Sequence, residues 1–116
     1  MLKVENNKLA VLWMSRDREI ALNMLFMYTL NGKMRNWWDE ISLIIWGPSS
    51  KLLSVDIELQ DYIKKIIEVG VKVEACKACA DSYNVSNDLE KLGIEVKYMG
   101  EPLTDYLKNG WHIITI

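Results

Sequence analysis

The chain has 116 residues, half of them hydrophobic, with 14 Lys and Arg against 16 Asp and Glu. That length suits one domain spanning 1–116, with core enough to need no disulfide or metal staple. A formal charge of −2 with singly scattered lysines argues against a nucleic-acid stripe, and no apolar run approaches the ~20 residues of a membrane helix.

The first eight residues are mostly polar and carry no apolar signal core. The expectation is a cytoplasmic protein without membrane or nucleic-acid partners, whose two cysteines are not a permanent staple. Residues 9–14, Leu-Ala-Val-Leu-Trp-Met, form an unbroken apolar run, as expected of a parallel strand covered on both faces. Ser15, Arg16 and Asp17 follow, with Asp17 a helix N-cap. Ile20, Ala21, Met24, Leu25, Met27, Tyr28 and Leu30 recur at helical spacing, and Asn31-Gly32 is expected to end that helix. Residues 41–46 read as the second strand, stopped sharply by Gly47, Pro48, Ser49 and Ser50. A helix over 56–69 should bury Ile57, Leu59, Ile63, Ile66 and Ile67, with Gly70 beyond its end.

Residues 71–75 form a short third strand, with Cys76 at its end and a short helix to about residue 82. Asn84 is a turn residue. Ser86 caps another helical turn that Gly93 ends. Residues 94–98 are a fourth strand, Pro102 sits early in a last helix, Gly110 closes it, and 111–116 are the fifth strand. Strands separated by helices need crossover connections. The fold class is therefore α/β, a three-layer α/β/α sandwich around a mainly parallel five-stranded sheet whose edge order the sequence leaves open.

Ligands of such sheets bind beyond the carboxyl ends of the strands. Those ends offer Ser15 and Arg16, then Gly47, Ser49 and Ser50, then Cys76, Lys77 and Cys79, then Met99 and Gly100. Only the cysteine segment has distinctive chemistry. A thiol at a helix N-terminus sees unpaired N–H groups that favour thiolate, and Lys77 adds a cation while Glu74 and Asp81 oppose it. Cys79, one turn on, can reach Cys76, so Cys76 is the nucleophile and Cys79 the resolving or supporting thiol. Arg16 could meet an anion, and Ser49 an oxyanion. The plain alternatives are inert core thiols and a solvated arginine. Zinc needs four ligands, and two cysteines with the single, mid-strand His112 do not supply them, so no metal is expected. Adjacent Trp37 and Trp38 cannot both point inward, which leaves one for a partner subunit.

The segments Trp46-Gly47-Pro48-Ser49, Gly70-Val71, Ala75-Cys76-Lys77-Ala78-Cys79-Ala80-Asp81, Leu92-Gly93-Ile94-Glu95-Val96 and Met99-Gly100-Glu101-Pro102-Leu103 resemble the DsrE/DsrF-like family. The resemblance runs from about Leu9 to the last residue. It implies an α/β/α sandwich, homo- or hetero-oligomers that are often trimers or hexamers, and sulfur trafficking without an organic cofactor. In the family's relay members a cysteine ending the third strand carries sulfur as a persulfide between donor and acceptor proteins. Cys76 matches it here, and Cys79 matches a second cysteine found in part of the family. Asn84 stands where relay members often have glycine. Three functions compete: a sulfur carrier on Cys76, a thiol–disulfide switch using both cysteines, and an oligomeric binding module with inert thiols.

Overall fold

The computed structural model describes residues 6–116. Five strands, β1 (Lys8–Trp13), β2 (Glu40–Ile45), β3 (Lys72–Cys76), β4 (Glu95–Lys97) and β5 (His112–Thr115), form one sheet in the order β4-β3-β2-β1-β5. Every neighbouring pair is parallel. The first three connections step one way across the sheet, and a fixed crossover hand lays their helices on one face. These are α1 (Arg18–Ile20), a π-helical turn (Ala21–Leu25), α2 (Phe26–Met34), α3 (Pro48–Val55), α4 (Ile57–Glu68), α5 (Lys77–Ser82) and α6 (Ser86–Lys91). The last connection runs back past β1, so α7 (Gly100–Lys108) covers the other face.

Alternation along the strands therefore makes two cores of unequal size. Leu9, Val11, Trp13, Ile41, Leu43, Ile45, Val73 and Ala75 meet Leu25, Phe26, Leu59, Ile63, Ile66 and Leu89 in the larger. Ala10, Ile44, Cys76 and Met99 form the smaller one, with Leu12, Trp46, Leu103, Tyr106, Trp111 and Ile113 half-buried around them.

Four expectations are corrected. Asn31-Gly32 does not end its helix. The helix continues to Met34 because Gly32 packs closely: a Cβ there would lie 3.2 Å from Ile41 Cδ1 and 3.4 Å from Trp38 Cδ1. The chain reverses at Asn36 instead, with φ 56°. Gly47-Pro48-Ser49-Ser50 does stop β2, but Pro48 then opens α3, a helix the sequence had not suggested. Ile57, at the first position of α4, is 73% exposed. Val85, not Ser86, occupies the N-cap of α6, and the Ser86 hydroxyl turns back to Asp81. Asp17 does cap α1, accepting from the Ile20 N–H.

Candidate cysteine site

β3 lies between β2 and β4, and its last residue, Cys76, pairs in register with Lys97. Strand alternation turns the Cys76 side chain into the smaller core, leaving it only 4% exposed. Cys79, one turn along α5, is half-buried. The two cysteines approach to 3.3 Å, and both are free thiols. Burial pushes the Cys79 thiol up, its hydrogen bond with Cys76 pushes the same way, and an N–H from Gly47 only partly opposes them. Burial and the contact with Cys76 thus both favour the protonated form of Cys79.

Cys76 stands at the N-terminus of the six-residue α5, as the sequence predicts, but no capping bond involves its sulfur. An N–H from Gly47 reaches the Cys79 sulfur. Gly47 can aim it because φ 75° and ψ −138° lie in a region that is essentially glycine's own. Lys77 is drawn to Asp81 at 3.0 Å, with its ammonium 5.9 Å from the centroid of the Tyr98 ring. The two charges beside the pair thus largely cancel each other.

The remaining strand-end residues divide. Ser49 is fully buried, and its hydroxyl donates to the Trp13 carbonyl at 2.7 Å and the Trp46 carbonyl at 3.3 Å, tying β1 to β2. The Ser15 hydroxyl accepts from the Asp17 N–H at 3.0 Å. Arg16 is exposed and lines a cleft with Pro48 of α3. Gly100 opens α7 with open space where a Cβ would stand. The geometry thus joins Gly47 to the cysteines and sets Arg16 beside α3.

Strand spacing gave no hint of a polar cluster under α7. Glu74 is buried two residues before Cys76, on the same face. It accepts from the Tyr106 hydroxyl, pairs with Lys97 at 2.6 Å and lies 3.6 Å from Lys72. The Tyr106 hydroxyl also lies 3.0 Å from the Ser42 hydroxyl. Burial first, and then the bond to Glu74, push the Tyr106 phenol up to about 12.

A model of the DsrE/DsrF-like family matches residues 9–116. The chain belongs to that family. The same fold appears in a conserved protein of unknown function from Bacteroides thetaiotaomicron, at 44% identity and TM-score 0.92 over 95% of each chain. More distant DsrE-type folds are the ychN protein from E. coli (16% identity, TM-score 0.70, covering 96% of this chain and 99% of that one) and a protein of unknown function from Methanobacterium thermoautotrophicum (16%, 0.75, 97% and 100%). No curated protein matches this DsrE-like chain. No helix among its described residues is long and apolar enough to cross a membrane.

Proposed function

We propose that this DsrE-like protein is a cytoplasmic sulfur carrier that holds sulfane sulfur as a persulfide on Cys76. The observation that carries the proposal is the pair of free thiols, 3.3 Å apart at the end of β3. The family's general link to sulfur relay supports it. Cys76 thiolate attacks the outer sulfur of a donor persulfide. The donor's S–S bond breaks, the donor leaves as a thiolate, and Cys76 keeps the sulfur as a persulfide anion. An acceptor thiolate takes it by the same step. A persulfide also extends the buried Cys76 side chain by about 2 Å, the length of one S–S bond. The Cys79 thiol and the Gly47 N–H are the donors nearest to stabilise the anion.

The close approach of the sulfurs favours a second reading, a dithiol switch that closes to a disulfide. Mass spectrometry of protein purified without reductant, then exposed to a sulfane-sulfur donor, separates the two. A carrier gains one reducible sulfur on Cys76, and Cys79→Ser retains the gain. A switch loses two hydrogens across the pair, and Cys79→Ser abolishes that change. Two unmodified thiols throughout would overturn both.

Self-association belongs to the same proposal. Ile20, Met24, Met27, Met34 and Trp37 stand along the outer side of the first helix, each between 42% and 59% exposed. Trp38 is the inward tryptophan of its pair, donating to the Tyr28 hydroxyl at 3.1 Å and packing on His112. The proposed occupant of this methionine face is a second copy of the chain, running antiparallel. Glu19 and Arg35 flank the face at opposite ends, so the pairing sets each glutamate near the other copy's arginine.

A further inference from the structure

We propose that the cleft between the end of β1 and α3 binds a small organic anion, an acid group carried on a short apolar body. The cleft measures about 330 Å³ and is lined by Arg16, Pro48, Lys51, Leu52, Val55 and Tyr83. Four of these residues, Pro48, Lys51, Leu52 and Val55, recur at i, i+3, i+4 and i+7, so one face of α3 supplies a whole wall. Arg16 reaches the cleft from the segment after β1, and Tyr83 from the end of α5. This is the carboxyl end of the sheet, where parallel α/β folds take their ligands.

The charge arrangement assigns the sign of the ligand. Among the described residues, neither Arg16 nor Lys51 has a carboxylate within ion-pair distance. The Ile116 carboxylate accepts from the Met14 and Ser15 N–H groups, and three acidic side chains close in sequence to Arg16 and Lys51 are engaged elsewhere. Asp17 caps α1, Asp56 caps α4 and holds Arg18, and Glu58 holds the same arginine. A chain of net charge −2 thus presents, among the residues lining one cleft, two cations without an ion-pair partner and no acidic side chain. Pro48, Leu52 and Val55 give the α3 wall an apolar surface, with Val55 75% exposed. A bare inorganic anion would use the cations and leave that apolar surface wet. An organic acid of modest size uses both, and the volume lies at the small end of known ligand sites.

The cleft adjoins the cysteine pair. Gly47, whose N–H meets the Cys79 sulfur, immediately precedes Pro48, and the Tyr83 N–H bonds the Cys79 carbonyl at 3.1 Å. The inference concerns binding alone and stands whether or not Cys76 carries sulfur.

Amide chemical-shift titration of the full chain tests it, with benzenesulfonate, benzyl alcohol and inorganic sulfate as probes. Benzenesulfonate should give saturable shifts in α3 and around Tyr83. Its affinity should fall about tenfold or more in Arg16→Ala/Lys51→Ala, whose exposed positions leave the fold intact, and should weaken with added salt. Benzyl alcohol and sulfate should each bind more weakly than benzenesulfonate. Failure of benzenesulfonate to saturate, shifts confined to other elements, or equal affinity in the double variant would overturn the site. Sulfate binding as tightly as benzenesulfonate would overturn its organic character.

Discussion

Glu74 is a carboxylate sealed beneath a helix, and the groups that hold it there reach in from β4 and α7 as well as from its own strand. Tyr106 is the partner whose loss is easiest to read. Tyr106→Phe keeps the ring edge-on to Trp111, with centroids 4.6 Å apart, and removes the hydroxyl from both Glu74 and Ser42. At neutral pH the change should cost about 1–3 kcal/mol, because a buried charged acceptor loses a donor. The pH dependence follows from the phenol being pushed up to about 12 from an ordinary 10. The folded state keeps the proton that the unfolded state releases. The tyrosine's contribution is therefore complete below pH 10 and is lost as pH rises from 10 towards 12, at most about 2 kcal/mol for this half-buried group. Urea unfolding of both proteins should show the wild-type advantage shrinking over that interval. A constant gap from pH 9 to 12 would mean that the bond does not hold. None of this was legible from spacing. In sequence Glu74 reads as a charge opposing a thiolate at Cys76, and its partner Tyr106 lies 32 residues away.

At the scale of elements, the strands were legible because both sheet faces are covered, which writes each central strand as an unbroken apolar run. The helices were less so, and glycine explains the two main differences. Gly32 looked like a stop but is a contact. In an open helix Gly→Ala gains up to about 1 kcal/mol, whereas here the new methyl meets Ile41 at 3.2 Å, so Gly32→Ala should change stability by roughly zero. Gly47 looked like a loop and is a hinge into α3. Nothing lies within 4 Å of the position its Cβ would take, so Gly47→Ala isolates backbone strain, expected at about 1–3 kcal/mol. Denaturant midpoints of the two variants check both, and a larger loss at Gly32 than at Gly47 would reverse the assignment. α3 does carry a sequence signal, Pro48 at its first position with Leu52 and Val55 following at i+4 and i+7. Lys51 joins the cleft because the helix sets it on the same face as Pro48, Leu52 and Val55.

For the molecule as a whole, the seven-strong helical layer and the single helix α7 leave two very different outer surfaces. The outer side of the larger layer carries the methionine face, and the twofold pairing proposed there would make assemblies of even copy number, which an isolated trimer is not. Met24→Glu with Met27→Glu should lower the mass measured by light scattering to that of a smaller assembly. Glu19→Arg should do so in part, and combining it with Arg35→Glu should restore the parent mass. Unchanged mass in the methionine variant would place self-association elsewhere. The opposite surface carries a different consequence, one of timing. β1 to β4 and the helices of the larger layer all precede α7 and β5 in the chain, so a ribosome delivers the larger core first. Until α7 emerges, Ile44, Ala10 and Cys76 face open water on a bare sheet. The Cys76 thiol is therefore enclosed by the last helix to be made, and a chain interrupted before that helix would show quality-control machinery an apolar sheet with a bare thiol on it.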